Sequence, residues 1–259
     1  MARAIWKGVV RFGGHAVAVK LYSAVEDRTV RFRLLDERTG RPVKQRMVNP
    51  STGDEVPYDR IRRGYEVEEG IYVVLDEEEL ESIEPEKSRE IEITRFLDPA
   101  IIDHRWYDRP YHLGPDESAA AYFSLTRALA AEGKEGLARW TMRNKEYVGA
   151  LRAEDDHLAL ITLRHAGEVI PVSALEPPSG REPEPQELKM AEQLVEALAG
   201  DFVPTDYRDE YRDRVMELIE AKAEGKTIEF REPAKRRAAG DLAASLEASI
   251  RAAKERQSA

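Results

Sequence analysis

Short runs of alternating apolar and polar residues, separated by tight turn signals, set the strongest limit on what this chain can fold into. From Ala4 to Tyr22 the order is strand, Gly13-Gly14 turn, strand, with His15, Val17, Val19 and Leu21 alternating with Ala16, Ala18, Lys20 and Tyr22. The same period of two returns at Thr29 to Leu35 and Pro42 to Val48, and strands are expected again at Gly70 to Leu75 and Glu90 to Phe96. Four more follow at Leu137 to Met142, Tyr147 to Ala153, His157 to Arg164 and Glu168 to Val172. Two helices interrupt them. One is short and acidic, from Asp76 to Ile83, and its Glu77 to Glu81 cluster reads as solvated charge near a helix start. The other opens at Pro115-Asp116-Glu117-Ser118 and runs to about Ala131, with Ala119, Tyr122, Phe123, Thr126 and Leu129 tracing its apolar side. Many short strands and few helices indicate a closed or nearly closed, mainly antiparallel β-barrel.

The stretch from Arg41 to Glu66 does not belong to such a core. It gathers Lys44, Arg46, Arg60, Arg62 and Arg63 around a reversal at Asn49-Pro50-Ser51-Thr52-Gly53, where Pro fixes φ and Gly supplies the positive φ of a turn. Upstream, Thr29 to Leu35 sets Val30, Phe32 and Leu34 against Arg31 and Arg33. An extended ribbon with cations on both limbs can lie along a polyanion without reading its sequence, because Lys and Arg neutralise phosphates wherever they occur. The plainer reading is a solvated hairpin whose charges keep an edge soluble.

Net charge enters here. The chain is −10 overall, which argues against nucleic acid, but residues 1 to 65 carry 14 Lys and Arg against 7 Asp and Glu. Residues 66 to 135 carry 7 against 19. Charges farther apart than about 8 Å are largely screened at physiological ionic strength, so a local basic surface survives inside an acidic protein.

The composition shifts at Glu176-Pro177-Pro178-Ser179-Gly180, a linker onto helices. Leu188, Ala191, Val195, Leu198 and Phe202 mark one amphipathic helix. Tyr207, Tyr211, Val215, Leu218 and Lys222 mark the next, opened by Pro204-Thr205 and stopped by Gly225. After the basic Lys235-Arg236-Arg237, a last helix carries Leu242, Leu246 and Ile250, a stripe suited to a partner's groove or to packing on the body. The expected class is α+β, with a barrel core and ribbon in residues 1–178. A linker and helical arm occupy 179–230, and a basic linker and terminal helix occupy 231–259.

The residues name no catalytic centre. There is no cysteine, the five histidines match no metal-ligand spacing, and no phosphate loop or Gly-x-Ser-x-Gly is present. A binding protein without cofactor or metal is expected rather than an enzyme. No stretch reads as a signal peptide or an apolar run of about eighteen residues, so a cytoplasmic location away from membranes is expected. An acidic barrel adaptor that binds only other proteins, and a hydrolase using scattered carboxylates, stay open on the residues alone.

The order Ile5-Trp6-Lys7-Gly8, Val19-Lys20-Leu21-Tyr22-Ser23, Pro50-Ser51-Thr52-Gly53, Lys87-Ser88-Arg89-Glu90-Ile91, Arg143-Asn144-Lys145 and Glu187-Leu188-Lys189-Met190-Ala191 resembles the bacterial Ku proteins of non-homologous end joining, from Ala2 to about Phe230. The resemblance implies a homodimer whose barrels and ribbons close a ring around the end of double-stranded DNA. It also implies an arm, about Gln186 to Lys226, that embraces the partner's barrel, and a terminal helix on which DNA ligase D docks through Leu242, Leu246 and Ile250. The protein would then be nucleoid-associated when bound to DNA. The phosphate contacts that this reading selects are Lys20, Arg31, Arg33, Lys44, Arg46, Arg60, Arg62, Arg63, Arg143 and Lys145. Some relatives place a Cys pair near the ribbon turn, where this chain has Asn49 and Thr52, so Pro50 and packing are expected to stiffen it.

Overall fold

The structure is a computed structural model that describes residues 3–117, 119–225, 246 and 249–251. Its described residues form two compact units, one of residues 3–28 and 33–174, the other of residues 29–32 and those from 175 onward.

The first unit is built on a hairpin of β1 (Trp6–Phe12) and β2 (His15–Ser23), in register from Trp6 opposite Leu21 to Phe12 opposite His15. Gly13 and Gly14 between them both have positive φ, as a two-residue turn matched to strand twist requires. Seven strands close into a barrel in the order β1, β2, β6, β9, β8, β7, β5, where β5 is Glu90–Leu97, β6 Tyr107–Pro115, β7 Glu135–Met142, β8 Lys145–Glu154 and β9 His157–Leu163. Every neighbouring pair is antiparallel except β1 with β5, which closes the barrel in parallel at Val9 opposite Glu90. Two strands outside the barrel, β3 (Arg63–Glu68) and β4 (Ile71–Leu75), pair only with each other.

Inward residues of the barrel strands fill its core: Val10, Val19, Leu21, Ile91, Leu113, Leu151, Leu158 and Leu160 are fully buried. Each such side chain contributes roughly 1.5–3 kcal/mol of hydrophobic stabilisation. The helix Ala119–Glu132 packs Tyr122, Leu125 and Leu129 onto this core, and Gly133 at positive φ follows it. We label it α2, after the short α1 (Glu77–Ser82), whose Asp76 and Glu79 make a capping box.

The expected strand at Glu168 to Val172 is absent; 3₁₀ turns at Ala166–Glu168 and Val172–Ala174 occupy the region around Pro171, which has no N–H to give a ladder. The runs Thr29 to Leu35 and Pro42 to Val48 are extended, and what ties their ends to neighbouring segments includes the isolated bridges Leu35–Pro42 and Val48–Glu55, with the Val43 N–H donating to the Leu34 carbonyl at 3.1 Å and the Val56 N–H to the Met47 carbonyl at 2.8 Å. Conversely, β3 and β6 were not expected. β6 carries Pro110 where its register to β9 shifts between Tyr107 and Pro110, an irregularity that lets proline sit inside a sheet. On α2, Phe123 is 39% exposed and Leu125 takes the core position that the sequence reading gave to Phe123.

In the second unit, α3 (Pro185–Ala197) starts with proline in its first turn, and the Glu187 carboxylate turns back to accept from the Glu184 N–H at 2.8 Å. Arg181 pairs with the same carboxylate at 2.5 Å, and this contact above all holds the Glu187 pKa down at about 2. α4 (Glu210–Ala223) begins only after a 3₁₀ turn at Pro204–Asp206; Asp209 caps it by accepting from the Arg212 N–H at 2.9 Å. Phe202 and Tyr207 thus lie outside the two helices that the spacing assigned them to. Of the terminal stripe, Leu246 and Ile250 are helical and half-buried, and Leu242 lies outside the described residues.

Candidate nucleic-acid interface

No residue from 22 to 90 is buried. The long excursion from β2 to β5 is therefore held by its own turns rather than by a core. In the first turn Asp36 and Arg41 close on each other at 2.9 Å, and the Asp36 carboxylate accepts from the Thr39 hydroxyl at 2.7 Å and the Arg38 N–H at 3.0 Å, which lowers its pKa. In the second, Asn49 N–H donates to Asp54 O at 2.9 Å, Asn49 Oδ1 accepts from Ser51 N–H at 2.9 Å and Gly53 takes positive φ. Thr52 Oγ1 accepts from Asp54 N–H at 3.3 Å. The turn is stiffened by Asn49 and Thr52 side-chain hydrogen bonds, not by packing, since residues 47 to 55 are all exposed.

These turns expose cations in different electrostatic states. Arg33, Lys44, Arg60 and Arg63 are exposed, and among the described residues no ion pair neutralises them. Arg46 pairs with Glu55 across the second turn at 2.6 Å. Arg62 donates to the Asp59 and Ile61 carbonyls at 2.7 and 3.1 Å. Arg62 and Arg63 also line a cavity of about 760 Å³ together with Asp59, Asp76, Glu77 and Glu81, so acid offsets the charge there. Arg31 is exposed and belongs to the second unit, whereas Arg33 belongs to the first. Lys20 projects from β2 onto Asp116 at 2.6 Å, where Lys7 also reaches at 3.2 Å. These contacts lower the Asp116 pKa and raise that of Lys20.

Arg143 and Lys145 lie at the β7–β8 turn, where Arg143 and Asn144 have φ of 54° and 60°. Lys145 Nζ stands 5.6 Å from the Tyr147 ring centroid, and that ring stacks on Trp140 at 5.4 Å. Arg143 lines a cavity of about 640 Å³ with Lys7, Lys87 and Arg89, three cations that sequence reasoning did not select. The pairing of β1 with β5 and of β5 with β7 brings their segments to one rim. The available signal was the Lys87-Ser88-Arg89 run. Among the described residues no group of His, Asp and Glu is arranged to hold a metal, and no helix is long and apolar enough to cross a membrane.

Comparison with known proteins gives relatives over most of the chain. The family model for the Ku70/Ku80 beta-barrel domain matches residues 11–190. The non-homologous end joining protein Ku of Anaeromyxobacter sp. strain K is 42% identical over 261 residues, covering 99% of this chain and 88% of that protein. Ku 2 of Geotalea uraniireducens is 40% identical over 229 residues, with 88% of this chain and 89% of that protein covered. Ku 3 of Saccharopolyspora erythraea is 40% identical over 248 residues, covering 93% of each.

Proposed function

The chain belongs to the Ku family, and we propose that it works in DNA repair by non-homologous end joining, binding the ends of double-stranded DNA as a ring-shaped homodimer. It acts by binding rather than by turnover, in the cytoplasm and on the nucleoid. The observation that carries this reading is the excursion from 22 to 90, which lacks buried residues yet presents Phe32, Leu34, Met47, Tyr65 and Tyr72 at 60–69% exposure beside uncompensated cations. Ordering a residue costs about 1–2 kcal/mol of backbone entropy, which such a segment offsets by burying those apolar groups against a second copy. The cations then face the lumen. Arg33, Lys44 and Arg60 on the ribbon and Arg143 and Lys145 on the barrel neutralise backbone phosphates, which are alike in every sequence, and Arg63 adds to them less the charge that its acidic neighbours offset. Arg31 joins them, while Lys20, Arg46 and Arg62 contribute less because Asp116, Glu55 and backbone carbonyls hold them.

A closed ring admits duplex only at a free end, so topology supplies the preference for ends that phosphate contacts lack. The helical arm supports the dimer in the same way: Leu188, Val195 and Leu198 on and at the end of α3 are 50–72% exposed and offer an apolar stripe to the partner's barrel. The carboxy-terminal segment recruits the end-joining DNA ligase D through Leu242, Leu246 and Ile250.

The test compares one plasmid in linear and covalently closed forms at fixed moderate salt. Retention on linear DNA that closed circles do not displace is the expected result. Equal binding to both forms removes ring closure, and binding to neither leaves the reading of an acidic adaptor that binds only proteins.

A further inference from the structure

The rim cavity of the barrel carries an inference of its own. Its lining includes Lys7, Lys87, Arg89 and Arg143 and no carboxylate. Lys7 is held by Asp116, but the side chains of Lys87, Arg89 and Arg143 make no hydrogen bond or ion pair among the described residues. Several other cations on and around this barrel are matched: Arg11 by Glu90 at 2.5 Å, Arg105 by Asp103 at 2.8 Å, Arg152 by Glu135 at 3.0 Å and Arg164 by Asp108 at 3.1 Å. In a chain of net charge −10, three uncompensated cations around one concavity are a local excess that acid could easily have offset.

Backbone geometry fixes where one of these cations sits. Arg143 and Asn144 form the two-residue turn between Met142 and Lys145, and their φ of 54° and 60° are those such a turn requires, so the hairpin holds Arg143 at the rim. Asn144, Ser88 and Thr141 add neutral hydrogen-bonding groups to the same lining.

We propose that this cavity is a discrete site for a phosphomonoester or another compact phosphate anion, held by Lys87, Arg89 and Arg143. A phosphomonoester bears about −1.5 to −2 charge and three acceptor oxygens. Convergent Lys and Arg donors in a concave site therefore favour it over a backbone phosphodiester, and an Arg fork binds two of its oxygens at once. The reading above needs cations that track a duplex and ignore the chemistry of its terminus; this site distinguishes a phosphorylated terminus from a hydroxyl one. Two sources share the chemistry, the 5′-phosphate of a DNA end and a free phosphate compound.

The experiment uses the full chain and the double variant Lys87→Gln with Arg89→Gln. Titration calorimetry with inorganic pyrophosphate reads the site without DNA. Polarisation assays with blunt duplexes ending in 5′-phosphate or 5′-hydroxyl then separate the sources. Saturable pyrophosphate binding is expected, weakened roughly tenfold to a hundredfold in the variant, as loss of charge-assisted hydrogen bonds implies. Affinity for the hydroxyl-ended duplex stays unchanged in the variant. A preference for phosphorylated ends that the variant loses identifies the DNA terminus as the source; no preference, with pyrophosphate still bound, identifies a free compound. Absence of saturable pyrophosphate binding, or binding that the variant retains in full, overturns the proposal. Failure to bind any duplex while pyrophosphate binding depends on Lys87 and Arg89 overturns the end-binding function and leaves the site standing.

Discussion

The phenol oxygen of Tyr122 accepts a hydrogen bond from the backbone N–H of Leu158 at 2.8 Å, tying helix α2 to strand β9 inside the barrel core. The same hydroxyl donates to the Leu113 carbonyl on β6, so one fully buried side chain joins three elements. Burial raises its pKa, so the hydroxyl, a donor at neutral pH already, holds its proton further into the alkaline range. Tyr122→Phe keeps the ring and leaves both backbone groups short of a partner, at a cost of about 1–3 kcal/mol. The expected outcome in urea is a lower unfolding midpoint with unchanged slope; an unchanged midpoint would show that the bond contributes nothing net.

A second buried network sets a pH dependence. Tyr107 donates to Glu135 at 2.7 Å, and Glu135, whose side chain is 1% exposed, pairs with Arg152 at 3.0 Å. Burial first, then the Glu135 contact, pushes the Tyr107 pKa up to about 12. The unfolded phenol titrates near about 10, so below that pH both states hold the proton and this group adds no slope. Between about 10 and 12 the unfolded state loses its proton first, and stability falls as pH rises. Urea midpoints of the wild type are expected to drop more steeply than those of Tyr107→Phe across this window, and parallel curves would refute the assignment.

Two glycines on the barrel are close-packed and one on the ribbon is not. A Cβ on Gly8 would lie 2.0 Å from the Trp6 ring and 2.4 Å from the Arg89 carbonyl oxygen; on Gly149 it would lie 2.6 Å from the Ile161 oxygen and 2.7 Å from Trp140. Backbone oxygens cannot yield as a flexible side chain does. Gly8→Ala and Gly149→Ala are each expected to lose about 1–3 kcal/mol or more through overpacking. Gly64 on β3, where the nearest atom is 3.6 Å away, is expected to accept Ala with little change or a small gain. Thermal midpoints of the three variants decide it: equal shifts would mean that close approach does not govern these positions.

The barrel was legible because its strands advertise themselves locally. Val17, Val19 and Leu21 alternate, and Gly13-Gly14 can only be a turn of that hairpin. β6 was hidden because Pro110 argues against a strand unless an irregular register is already known. Thr29 to Leu35 is the opposite case: its alternation is real, yet the pairing at its end, Leu35 with Pro42 and the Val43 N–H with the Leu34 carbonyl, is with the next segment of the ribbon rather than with a barrel strand. The cations divide in the same way. Lys44 could be read as exposed from its turn, whereas the contact of Lys7 with Asp116, 109 residues away, depends on the closed barrel. Lys87, Arg89 and Arg143 likewise converge only through the pairing of β5 with its neighbours, which no local pattern records.

That division of cations separates two lysines that look alike in sequence. Lys44 is exposed on the ribbon with no acid upon it, while Lys20 gives its charge to Asp116 at 2.6 Å, with 29% of its side chain exposed. Each phosphate neutralised by a lysine contributes about 0.9 to the slope of log affinity against log salt. Lys44→Gln is therefore expected to weaken duplex binding evenly across sequences and to lower that slope by about one. Lys20→Gln removes a charge that is already compensated, so its effect on the slope is expected to be smaller. Its loss appears instead in folding, because Asp116 is left with Lys7 alone at 3.2 Å. The Asp116 pKa, held low chiefly by Lys20, then rises toward its ordinary value. The stability that this depression provides is present above the unfolded carboxylate pKa and is lost as pH falls through the folded one, so the variant shows a shallower acid loss. Salt titrations of the two variants on one blunt duplex, with urea midpoints from neutral to acid pH, check both halves. Equal slope changes would mean that Asp116 releases Lys20 to DNA, and the barrel wall around β2 would then join the ribbon as a phosphate-contacting surface.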